Sequence, residues 1–87
     1  MAVVRGRSIE ALGLDGRTFN MLNRFARNND VSAPMTIGCL LAGSQWNLLA
    51  IDGFDTERLE DVMSRISVYG LMLKDDLVDD WPNVAEQ

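Results

Sequence analysis

The sequence predicts an all-α protein, a compact bundle of four to five short helices, and three observations carry that expectation. Apolar residues recur every three to four positions over two long stretches, the period of a helix with one buried face. Capping and breaking residues punctuate the chain at intervals that suit short helices. No pair of segments shows the strict alternation of half-buried strands, and no repeat or low-complexity tract is present. With 87 residues there is room for one core, and 47% hydrophobic against 24% charged residues is the balance of a chain that folds.

Residues 1–8 show no periodicity and read as a flexible N-terminal arm; the domain is expected over 9–82, with 83–87 as a C-terminal tail. From Asp15 to about Asn28, the residues Phe19, Leu22, Phe25 and Ala26 follow helical spacing, and Asp15 suits the N-cap. Asn28-Asn29-Asp30 and Ser32-Ala33-Pro34 end that helix in a loop. A short helix runs from Thr36, a capping residue, to Leu41, with Gly43 to close it. Another turn or two fits Ser44 to Ala50, with Trp46 or Leu48–Leu49 turned inward.

Ile51-Asp52-Gly53-Phe54-Asp55 reads as a tight connection, Gly53 free of the Cβ penalty and Asp55 placed to cap the next helix. That helix, the clearest in the chain, spans Thr56 to Tyr69: Leu59, Val62, Met63 and Ile66 fall at i, i+3, i+4 and i+7, and Gly70 ends it. Leu71-Met72-Leu73 is an apolar strap, Lys74 to Asp80 a short acidic segment, and Trp81-Pro82 an end that folds back on the core. The core should gather Leu14, Phe19, Leu22, Phe25, Ile37, Leu40, Leu48, Leu49, Leu59, Val62, Met63, Ile66, Leu71 and Leu73.

Composition narrows the function. There is no histidine, so the commonest general base and zinc ligand are missing, and the single cysteine, Cys39, sits in an apolar segment as a core filler. Asp75, Asp76, Asp79 and Asp80 have i, i+4 spacing but no glycine-turned loop and no bidentate glutamate, so they read as a solvated acidic face and not a cation site. The expectation is a protein that is not an enzyme, with no cofactor, no metal and no small-molecule substrate. Apolar runs such as Cys39-Leu40-Leu41-Ala42 are too short for a bilayer, and Met1 to Gly6 lacks a signal-peptide stretch, so a cytoplasmic protein with no membrane partner is expected.

The net charge of −5 is unevenly spread. Residues 1–43 carry five arginines against three carboxylates, a net of +2; residues 44–87 carry three cations against ten carboxylates, a net of −7. Such asymmetry suggests two surfaces with different partners, the first half favouring anions. Arg17, Asn20, Arg24 and Arg27 lie at i, i+3, i+7 and i+10, which makes the helix face opposite Phe19, Leu22 and Phe25 polar and cationic. An ordinary solvated face is the plain alternative. Trp46, Phe54 and Tyr69 are residue types favoured as protein-binding anchors, although core packing competes for each.

Three stretches, in order, carry a family resemblance: Ile9-Glu10-Ala11-Leu12-Gly13-Leu14-Asp15-Gly16-Arg17-Thr18-Phe19-Asn20-Met21-Leu22; Ile37-Gly38-Cys39-Leu40-Leu41 with Leu48-Leu49; and Gly70-Leu71-Met72-Leu73 with Trp81-Pro82. Together they resemble the C-terminal domain of the bacterial RNA polymerase alpha subunit, with one insertion around Arg27 to Pro34. The resemblance implies an alpha-C-terminal-domain-like fold containing a helix-hairpin-helix-like element. It also implies a transcription-associated binding module that holds AT-rich DNA through the minor groove and meets polymerase, sigma factor or a regulator.

The family's DNA-contacting arginine and asparagine fall on Arg17 and Asn20, with Arg24 on the same face. An arginine entering a narrow minor groove meets enhanced negative potential, and an asparagine beside it can bond to the backbone and base edges. In the hairpin the family's glycine, lysine and serine fall on Asp55, Glu57 and Arg58, so carboxylates stand where a phosphate would sit and Arg58 is left as the hairpin's phosphate-reaching residue. Of the acidic positions that face sigma in the family, two hold Ala11 and Gly13, and Glu10 remains beside them. A protein-interaction adaptor of the same fold that has lost DNA binding is the alternative expectation.

Overall fold

The computed structural model describes residues 6–83. A short 3-10 turn, Ile9–Leu12, leads into four α-helices: α1 (Gly16–Asn28), α2 (Ile37–Leu41), α3 (Gln45–Leu49) and α4 (Thr56–Ser67). Among the described residues there is no strand, only isolated bridges between Ser8 and Thr36 and between Ser44 and Lys74. The fold is all-α. The radius of gyration, 11.5 Å, is close to the roughly 12 Å expected of a folded chain of this length. Residues 1–5 of the expected arm and 84–87 of the expected tail lie outside the described residues. Arg7 and Ser8 are tied to the domain: the Arg7 carbonyl accepts from the Ile37 amide, and Ser8 caps the 3-10 turn.

Each of these four helices starts on a side chain that accepts a hydrogen bond from an otherwise orphaned amide. Asp15 accepts from the Thr18 amide, Thr36 from Cys39, Ser44 from Asn47, and Asp55 from Arg58. At α3 the Asn47 side chain also accepts from the Ser44 amide, closing a capping box. Asn47 then holds the C-terminal strap, donating to the Val78 carbonyl at 2.9 Å and accepting from the Val78 amide at 3.0 Å.

The C-terminus of α1 is closed by Asp30 in the left-handed region (φ 59°). The Val31 amide reaches back to the Ala26 carbonyl, the Asp30 amide to Arg27, and Val31 is buried, the Schellman arrangement. Gly70 (φ 72°) plays the same part after α4, with Leu71 bonded to the Ile66 carbonyl. Gly43 does not end α2 through its own conformation. A Cβ there would lie 2.7 Å from the Trp81 ring, so glycine is needed for that close approach.

Leu22, Ile37, Leu40, Leu48, Leu59, Val62 and Ile66 are buried in one cluster, while Leu14, Phe19, Phe25, Leu49, Leu71 and Leu73 pack half-buried around it. Met63, expected inside, is exposed: α4 buries Leu59, Val62 and Ile66, and Met63 lies past the edge of that stripe. Ile9, Leu12, Val31, Met35, Ile51 and Phe54 join the core from loops and turns. Trp81 folds back onto it. Its ring stacks on Phe25 with centroids 5.3 Å apart, and its indole N–H donates to the Cys39 carbonyl at 2.7 Å. Residues 75–80 are irregular, bending at 75–76 and turning at 79–80, so the i, i+4 spacing of their aspartates is not expressed on a helix.

Candidate nucleic-acid interface

Helix α1 buries Thr18, Leu22, Asn23 and Ala26, a face centred one step from the apolar residues Phe19 and Phe25. Two of these four are polar. Asn23 serves as an acceptor for the Met35 amide at 2.7 Å, and Thr18 accepts a hydrogen bond from Arg58. Facing away from them, Arg17, Asn20, Arg24 and Arg27 lie on one outward side, all four exposed. Among the described residues, none of these three arginines lies within ion-pair distance of a carboxylate.

The hairpin between α3 and α4 comes up against this side of α1. Gly53, at φ 85°, takes a conformation that side-chain-bearing residues rarely adopt, and a Cβ there would lie 3.5 Å from the Met21 methyl. Between the two runs an open cleft of about 500 Å³ in which Arg17, Asn20, Arg24 and Arg58 all take part. Met21 and Phe25 supply apolar wall from α1, and Ile51 and Asp52 close the side from the hairpin. Asp52 is the carboxylate in this cationic cleft. Residue spacing alone could have flagged Met21, one turn from Arg17; the hairpin side has no signal in the local pattern.

Arg58 lines the edge of this cleft, but its guanidinium is turned onto the start of α1. Its Nη1 donates to Thr18 Oγ1 at 3.0 Å and lies 3.6 Å from Asp15 Oδ1, with the side chain only 21% exposed. Its Nε is buried with no hydrogen-bond partner among the described residues. The amide at the start of α4 that would face a phosphate is engaged too, since Arg58 N–H donates to Asp55 Oδ1 at 2.9 Å. Asp15 closes this junction. Hydrogen bonds from the Thr18 amide and hydroxyl hold its carboxyl below the usual carboxylate range, with Arg58 and Arg17 adding attraction.

The expected protein-binding residues separate. Glu10 is exposed on the 3-10 turn, Trp46 is 53% exposed on α3, and Tyr69 is about half exposed just beyond α4. Phe54 is buried at 6% exposure as part of the core, which leaves it no side to offer a partner. Among the described residues no group of three or more His, Cys, Asp or Glu side chains is placed to hold a metal ion, and no helix is long and apolar enough to cross a membrane. No protein-family model matches the chain, and neither does any curated protein.

Proposed function

We propose that this chain is a transcription-associated binding module, resembling the RNA polymerase alpha C-terminal domain, whose working surface is the outward side of α1. It acts in the cytoplasm by binding and not by chemistry. Arg17 enters the minor groove of AT-rich DNA while Asn20 and Arg24 hold the flanking backbone, and polymerase, sigma factor or an activator is met alongside. The observation that carries this reading is the shared cleft: Arg17, Asn20 and Arg24 open onto one surface, with no intramolecular ion pair to neutralise the arginines among the described residues. The connection of a short helix, a turn at Gly53 and a longer helix supports the helix-hairpin-helix-like part of the resemblance.

Few phosphates are neutralised and the second half is strongly acidic, so the affinity is weak, on the scale of about 10⁻⁴–10⁻⁶ M. Titration of a labelled AT-rich duplex at low salt tests the reading. Arg17→Ala should lose most of the binding, while Lys74→Ala, beyond α4 in the acidic half, should bind as the wild type does.

A second reading has its own observation. Asp55 occupies the α4 amide and Arg58 is engaged by Thr18 and Asp15, so the hairpin offers no phosphate seat. That favours a protein-interaction adaptor of the same fold that has lost DNA binding. No duplex binding by the wild type would select it.

A further inference from the structure

The second half of the chain presents a surface of a different kind. Every large hydrophobic side chain that is exposed among the described residues, from Trp46 to Leu77, belongs to residues 44–87. The most open are Val68, at 81%, and Met72, at 77%, with Tyr69 between them. They stand on either side of the left-handed Gly70, which turns the chain out of α4. Along α4 and its C-cap Val68, the residues Glu60, Ser64, Ser67 and Val68 lie at i, i+4, i+7 and i+8, so one outward stripe runs from a carboxylate to the apolar patch. Past the patch, Met72 lines a shallow cleft of about 430 Å³ with Leu41, Leu73, Lys74 and Asp75.

Charge decides what suits this patch. Two of the three cations of this half are engaged inside the molecule, Arg58 by Thr18 and Asp15, and Arg65 by Asp61 and the Leu12 carbonyl. The third, Lys74, lines the Met72 cleft beside Asp75 and offsets one charge there, so the carboxylates at either end of the patch, Glu60 on one side and Asp75 and Asp76 on the other, keep a net of −2. We infer that the Val68–Tyr69–Met72 surface docks a cationic amphipathic helix of another protein. Its apolar side sits on these three residues and its lysines or arginines face Glu60 and Asp75–Asp76. Nucleic acid and anionic lipid are repelled by the same carboxylates. A second copy supplies the wrong face, because the cationic side of α1 carries no exposed large apolar residue.

The test titrates the isotopically labelled full chain with two synthetic amphipathic helices, one of leucine and lysine and one of leucine and glutamate. The lysine helix should bind, shifting amide resonances over residues 60–76. The double variant Val68→Ser, Met72→Ser should weaken that binding about tenfold. Because both residues are exposed, the variant should keep the wild-type urea midpoint, which separates loss of docking from loss of fold. Equal affinity in the variant, equal binding of the glutamate helix, shifts confined to α1, or no binding at all would overturn the proposal. So would concentration-dependent dimers in sedimentation that vanish in the double variant, since the occupant would then be a second copy.

Discussion

Arg58 and Thr18 tie the last helix to the first: Arg58 Nη1 donates to Thr18 Oγ1 at 3.0 Å across the junction of α4 and α1. Thr18 is buried, so its hydroxyl has no water to replace the lost donor. Arg58→Ala should therefore cost about 1–3 kcal/mol, mostly through this bond and the packing of the side-chain stem. The ion pair to Asp15 adds little, because that carboxylate is largely exposed. Urea unfolding measures the loss; an unchanged midpoint would mean that the junction contributes nothing.

The same junction makes stability depend on pH. Asp15 has a folded-state pKa lowered from its ordinary value of 3.8, so its contribution is fully present above that value. It is lost as pH falls through the lower folded-state pKa. Asp15→Asn keeps an N-cap acceptor but cannot ionise. The stability difference between wild type and Asp15→Asn should be present at neutral pH and close below about pH 4. A difference that stays constant down to acid unfolding would contradict the assignment.

Leu22 and Ile66 anchor the core from α1 and α4, and both are buried. Truncating either to alanine should cost about 2–5 kcal/mol. In a domain this small that is a large share of the total stability, and a cooperative urea transition should move to much lower denaturant.

At Gly43, an alanine Cβ would meet the Trp81 ring at 2.7 Å and push it off Phe25. Gly43→Ala should destabilise by about 1–3 kcal/mol. Made in a Trp46→Phe background, where Trp81 is the remaining tryptophan, the variant should also show red-shifted fluorescence as the indole gains water. Unaltered emission would show that the strap absorbs the methyl without moving the ring.

The helices and their caps were legible because their signals are local. Asp15, Thr36 and Asp55 announce a start within three residues, and the outward side of α1 comes from the spacing of Arg17, Asn20 and Arg24. What escaped the sequence depends on partners far along the chain. Thr18 and Asn23 are buried because Arg58 and Met35 need acceptors there, which an apolar count cannot see. Trp46 points out while Leu48 fills the inward position of so short a helix, and Phe54 goes in at a turn closed by its amide bond to the Ile51 carbonyl. Arg58, the hairpin's expected phosphate contact, is held inside by a residue 40 positions away.

Glu57 is exposed beside the capped start of α4, where it and Asp55 oppose phosphate. If duplex DNA approaches the hairpin at all, Glu57→Lys should strengthen binding at low salt. The salt slope should steepen by about 0.9 for one added phosphate contact. The same affinity and slope would place DNA on α1 alone, away from the hairpin.

If the outward side of α1 is the binding surface, chemical-shift mapping of the labelled protein with an AT-rich duplex at low salt should locate it there. Progressive shifts are expected at Arg17, Asn20 and Arg24, spreading to Met21 and the Gly53 turn, and none over Val68 to Asp76. Shifts absent from α1, or distributed without regard to it, would rule out this surface.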